Sequence, residues 1–216
     1  FEIPMRCDRK KSGVKPPHSK FMRILVILVM LTLAGTGCSR EPAPAPVEKP
    51  SLDPALFDGA RAYKEAAGII GLGSRDAGTP GALKAARYLA IRLKAQGVEA
   101  EIGAFTNMCP EGSVVFRNVV GRLPGEGRGL ICLGSPYDTK SGIPGFQGAN
   151  DSAASSGALI ELAGALARGP RVGPEILFVF FDGEECMKHY GRSDGLHGSR
   201  HLAEQLVEEG PEESFD

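Results

Sequence analysis

Residues 176–185, Ile-Leu-Phe-Val-Phe-Phe-Asp-Gly-Glu-Glu, limit what this chain can become more than any other stretch. Six apolar residues in a row, most of them β-branched or aromatic, suit a strand buried on both faces. Three carboxylates then arrive within four positions, at Asp182, Glu184 and Glu185. Unpaired acids crowded at a sheet edge repel one another. A cation between them relieves the repulsion, and so does one acid that keeps its proton for proton-transfer work. In open α/β sheets the ligand crevice lies beyond the carboxyl ends of the strands, where these acids fall. The competing reading is a solvated acidic turn after a core strand.

The 216 residues carry 25 basic and 26 acidic side chains and are 42% hydrophobic. That balance suits one domain with a core and offers no electrostatic case for nucleic acid. The first fifty or so residues read as something other than that domain. Met22-Arg23 opens a short basic stretch, and residues 24–34 form an apolar run too short to span a bilayer. Gly35-Thr36-Gly37-Cys38 follows, which resembles a bacterial lipoprotein cleavage site with Cys38 as the lipidated residue. The expectation is a leader over 1–38, with translation starting at Met22, and a Pro-rich tether over 39–52. An ordinary secretory signal with a free linker is the alternative. Cys7 falls in the leader. Cys109, Cys132 and Cys186 have neither metal-ligand spacing nor an even count, so no disulfide framework is expected. Cys132 reads as a small core residue.

From 53 to 216 the pattern alternates helices and strands. Residues 52–71 have near-helical apolar spacing. Thr79-Pro80 opens a second helix that Gly97 ends. Residues 98–104 alternate as a half-exposed edge strand, 114–123 form another strand, and 130–133 a short buried one. Residues 152–168 predict a helix, 176–181 the central strand, and 199–208 a last helix. Strands separated by helices imply an α/β class, a three-layer α/β/α sandwich around a mixed, mostly parallel sheet. Asp138 follows one strand, and Asp151 stands where a helix begins and its dipole favours a carboxylate. Taken singly, Asp138 is a turn residue and Asp151 an N-cap. Together with Glu184 and Glu185 they bring carboxylates from three segments to one sheet edge.

Pro136-Tyr137-Asp138-Thr139, Gly148-Ala149-Asn150-Asp151-Ser152-Ala153 and Phe181-Asp182-Gly183-Glu184-Glu185, in this order, resemble metallopeptidase family 28, the zinc aminopeptidases. Residues 186–197 then intervene before Gly198-Ser199-Arg200-His201-Leu202-Ala203, an arrangement similar to the glutaminyl-peptide cyclotransferase branch. The resemblance implies that Asp151 and Glu185 are zinc ligands and that Glu184 is the general acid/base. It places Tyr190 at the border of the substrate pocket, with simple packing as the other reading of that residue. Peptide or protein N-termini are the implied substrate and one Zn2+ the implied cofactor.

Two departures bear on that implication. Pro136 stands where the family has a histidine that binds a second metal, so a single zinc is expected, with Asp138 behind the ligands. The family's last zinc-binding histidine has no counterpart here, and His189, His197 and His201 read as surface residues. The domain is therefore expected to continue beyond Asp216. Three functional expectations follow: a lipid-anchored cyclase of the cell envelope, an aminopeptidase of the same family, or a surface lipoprotein that has lost its metal.

Overall fold

The computed structural model describes residues 53–208 except Val172. The expected leader, Cys38 and the expected tether lie outside the described residues.

Four strands, β1 (Glu99–Cys109), β2 (Gly112–Leu123), β3 (Leu130–Pro136) and β4 (Glu175–Phe181), form one mixed sheet in the order β1-β2-β4-β3. β1 pairs with β2 and β2 with β4 antiparallel, while β3 runs parallel to β4. Helices α1 (Gly59–Ile70), α2 (Pro80–Ala95), α3 (Ser155–Arg168) and α4 (His197–Glu208) complete the architecture. Each start has a local cause. Asp58 caps α1 by accepting the N–H groups of Ala60 and Arg61, and Thr79 caps α2 through Ala82, with Pro80 at its first position.

β4 separates two cores. Phe178 and Phe180 pack with Val119 against Ile69, Leu89, Leu93 and Ile160 of the first three helices. Leu177 and Val179, pointing the other way, pack with Leu202 of α4. Strand residues alternate faces, so a fully apolar strand is what a sheet covered on both sides requires. The α/β/α sandwich is therefore present, but the described sheet is mixed without being mostly parallel, since two of its three pairings are antiparallel. Burying each such side chain contributes about 1.5–3 kcal/mol, and Phe178→Ala would cost about 3–5 kcal/mol through the cavity it leaves. Close approach of α2 to the sheet depends on Gly121, where a Cβ would lie 2.9 Å from Leu93 and 3.0 Å from Val98. Among the described residues no helix is long and apolar enough to cross a membrane.

The structure corrects several sequence expectations. β3 is not a buried strand: Leu130 and Ile131 are 45% and 42% exposed, and Cys132 is exposed too. The reason is position, since β3 is an edge of the described sheet. Apolar composition reports a preference for burial and does not say which strand supplies the cover. The helix expected from 152 begins at Ser155, behind a π-type turn at Ala149–Ala154. Asp151 (φ −107°, ψ 103°) lies within that turn, and Ala154 holds the cap position of α3, so Asp151 is not its N-cap. The last helix starts at His197, two residues earlier than its apolar spacing implies.

Candidate functional site

Because β3 and β4 are parallel and in register from Leu130–Glu175 to Pro136–Phe181, their carboxyl ends lie side by side. Asp138 and the Glu184–Glu185 pair leave the sheet there. The Asp138 carboxylate is buried and accepts the backbone N–H of Glu184 at 3.2 Å and of Glu185 at 3.0 Å. Its carbonyl accepts the Ser152 hydroxyl at 3.1 Å, which brings in the turn carrying Asp151. All three acid-bearing segments named from the sequence are thus joined through Asp138.

A buried arginine braces the same loops. The guanidinium of Arg75 donates to the carbonyls of Tyr137 (2.7 Å), Gln147 (2.8 Å), Gly73 (3.1 Å) and Gly148 (3.2 Å). These bonds tie the segment before Asp138 to the segment before Asp151. Burial holds the Arg75 pKa below its usual value, against the pull of Asp138 and Asp76. Gly148 sits at φ +53°, where a Cβ would come within 2.4 Å of the Asp151 carbonyl and 2.9 Å of Arg75.

The three acids after β4 avoid one another by going to different partners. Asp182 turns into the interior, where one carboxylate oxygen accepts the Arg117 N–H at 2.8 Å. Its other oxygen has no partner among the described residues. Burial pushes Asp182 up to about 6. Glu184 reaches α4, with its two oxygens accepting the N–H and the hydroxyl of Ser199, each at 2.8 Å. Glu185 accepts the Tyr190 hydroxyl at 3.2 Å. Tyr190 is 60% exposed, so core packing does not explain it. Local desolvation, then the neighbouring Glu185 charge, push its phenol up to about 12. Asp138 is held well above the carboxylate range by burial, although the Glu185 and Glu184 N–H groups favour its anion. A bound cation would reverse that balance.

Residues invisible to the motif reading set α4 in place. The buried amide of Asn118, on β2, accepts the Asp182 N–H at 3.1 Å and donates to the Gly198 carbonyl at 2.9 Å. A Cβ at Gly198 would lie 2.5 Å from that amide oxygen and 2.7 Å from the Asp182 carbonyl. Asparagine is disfavoured in strands, which was the one sequence signal for Asn118. Arg75 had none, since a lone arginine in a turn reads as solvated. The surface reading of His197 is also corrected. It is buried, stacked on Phe116 at 4.4 Å, with Nε2 3.5 Å from Cys109 Sγ and Nδ1 3.2 Å from Asn107 Nδ2. His201 stacks on Phe105 at 3.9 Å, and His189 is exposed.

Asp151, in the turn before α3, and Glu185, beyond the end of β4, offer carboxylate oxygens that suit a divalent cation in kind, with Asp151 exposed and Glu185 half-buried. They do not suffice in number. Among the described residues no group of three or more His, Cys, Asp or Glu could hold a metal, whereas a catalytic zinc takes three protein ligands. Pro136, in register with Phe181, offers no side-chain donor.

Residues 118–214 match the model of peptidase family M28. The chain is 41% identical over 149 residues to the glutaminyl-peptide cyclotransferase-like protein of Bos taurus, covering 63% of this chain and 38% of that one. It is 27% identical over 213 residues to the glutaminyl-peptide cyclotransferase of Bos taurus, covering 86% and 59%. Its fold superimposes on an Acidobacteriales bacterium glutaminyl cyclase with a TM-score of 0.67 at 34% identity, over 79% of this chain and 58% of that one. The chain therefore spans roughly two fifths to three fifths of the length of these relatives. Family match, relatives and fold agree: residues 118–214 resemble peptidase family M28, and the relatives the chain is similar to are glutaminyl-peptide cyclotransferases.

Proposed function

We propose that this chain is part of a zinc-dependent glutaminyl-peptide cyclotransferase, which closes N-terminal glutamine to pyroglutamate and releases ammonia. The observation that carries the proposal is the divergence of two adjacent glutamates from a backbone held by Asp138. Glu185 stays at the strand ends beside Tyr190, and Glu184 is held by Ser199. Adjacent carboxylates with different partners suit a split of roles, one holding a metal and one moving protons.

Asp151 and Glu185 would contribute two ligands, and the third would come from outside the described residues. Zinc, when bound, supplies Lewis-acid polarisation of the substrate's γ-carbonyl. Glu184 accepts the proton that the peptide's α-amine loses as its nitrogen bonds to the side-chain amide carbon, Cδ. The same carboxyl group then gives that proton to the departing amide nitrogen as the Cδ–nitrogen bond breaks and ammonia leaves. Tyr190, exposed and hydrogen-bonded to Glu185, borders the space the glutamine side chain would enter. The family match favours a second reading, in which the same glutamate activates water and an aminopeptidase results. A protein with the fold and no metal is the third, and Pro136 is its support.

Full-length protein loaded with zinc, offered a glutaminyl peptide and an aminoacyl amide, decides among these. Ammonia with a pyroglutamyl product identifies the cyclase, a freed amino acid the hydrolase, and neither the inactive form. We also propose attachment to the bacterial cell envelope through lipid on Cys38, supported by the basic stretch, the apolar run and the small residues before that cysteine. Cys38→Ala should release the protein from membranes or leave its leader uncleaved. Unchanged fractionation would remove the anchor.

A further inference from the structure

We propose that Ser199 is the positioning residue for proton transfer, holding Glu184 in the orientation that the reaction uses; this rests on the catalytic reading above. Ser199 is the third residue of α4, so its N–H is among those the helix leaves without an internal partner. Glu184 arrives from another segment to accept it, and the Ser199 hydroxyl takes the second carboxylate oxygen. With both oxygens engaged by one residue, the plane of the carboxylate is set. Each oxygen keeps a further lone pair for a substrate proton.

The seat of Ser199 is fixed by the loop that carries Glu184. Leu196 N–H donates to the Glu184 carbonyl at 3.1 Å, and His197 N–H to the Gly183 carbonyl at 3.0 Å. Asn118 fixes Gly198 from the sheet, and Phe116 meets the His197 ring. Helix start and proton-transfer group therefore form one rigid unit, closed by the Ser199–Glu184 pair. The Glu185 carboxylate accepts its hydrogen bond from Tyr190 and not from Ser199, so loss of the Ser199 hydroxyl should leave the proposed metal ligand where it is.

The test compares Ser199→Ala and Ser199→Thr with the parent in the full-length, zinc-loaded protein. Ser199→Ala keeps the N–H bond and loses the hydroxyl. The expected result is a fall in kcat of about 10- to 100-fold, the scale of a misdirected reacting group, with KM within about twofold. Zinc content should be unchanged, and Ser199→Thr, which keeps a hydroxyl, should restore most of the rate. A thermal-unfolding cycle of Ser199→Ala with Glu184→Gln should show coupling, which reads the bond itself independently of activity. Parental kcat in Ser199→Ala overturns the proposal, as does a joint loss of kcat, KM and zinc, which would mark a purely structural cap. No thermal coupling also overturns it. A parent that turns over neither the glutaminyl peptide nor the aminoacyl amide removes the catalytic reading itself, and with it any such role for Ser199.

Discussion

Asp138 Oδ2 accepts the backbone N–H of Glu185 at 3.0 Å, so the acid beyond β3 holds the main chain of the acid beyond β4. The bond crosses between parallel neighbours and sets how far apart the two strand ends can drift. Asp138→Asn keeps the shape but turns one acceptor oxygen into a donor that faces an N–H. A buried donor left without an acceptor costs about 1–3 kcal/mol, which denaturant unfolding would read. Metal affinity of the complete protein should fall about 10- to 100-fold, the usual scale for losing a group that orients a ligand. Unchanged stability and affinity would mean that Asp138 is only a turn residue.

The divergence of Glu184 and Glu185 predicts opposite phenotypes for the same substitution. With Glu185 as the proposed ligand, Glu185→Gln puts a neutral oxygen in place of a charged one and should weaken zinc retention in dialysis. Glu184→Gln should keep the metal and lose about two to four decades of rate. Equal effects of both variants on zinc would contradict the split of roles.

Asp182 predicts a pH dependence of stability that is separate from catalysis. Burial pushes its carboxyl up to about 6 from 3.8, so the folded chain holds this proton more tightly than the unfolded chain. The stabilising contribution is fully present below pH 3.8 and is lost as pH rises through about 6. The difference amounts to about 3 kcal/mol at most. Asp182→Asn should flatten that slope and gain on the parent by up to about this amount between acid and mildly alkaline pH. Asp138 is shifted in the same direction, so some slope should remain in the variant. Denaturant midpoints measured on the metal-free chain check this. Parallel curves for parent and variant would show that Asp182 is ionised at no cost.

Pro136 predicts the metal count. It stands beside Phe181 at the strand ends and carries no donor, so elemental analysis of the complete protein should find about one zinc per chain. Two tightly held ions would favour the aminopeptidase reading. Pro136→His should raise the count only if a second carboxylate is within reach.

The sequence by itself determined which segment would be the central strand and where its acids would fall. Residues 176–181 are apolar throughout, and only a strand covered on both faces satisfies that pattern. The acids had to follow at its carboxyl end. Local chemistry also settled the helix start at Thr79-Pro80, because capping depends on neighbours in the chain. Everything that depended on distant partners was decided by the tertiary structure. Three crowded carboxylates predicted mutual repulsion, and the fold removed it by sending Asp182 to Arg117, Glu184 to Ser199 and Glu185 to Tyr190. Asp151 looked like an N-cap, but the turn at Ala149–Ala154 delays α3 to Ser155 and leaves the cap position to Ala154. β3 has the composition of a core strand yet lies at an edge of the described sheet, because strand order is set by pairing between segments far apart in sequence. Arg75 and Asn118 carry no motif at all. Their importance comes from the backbone carbonyls and N–H groups they meet, and a sequence does not print which backbone groups will be left to satisfy.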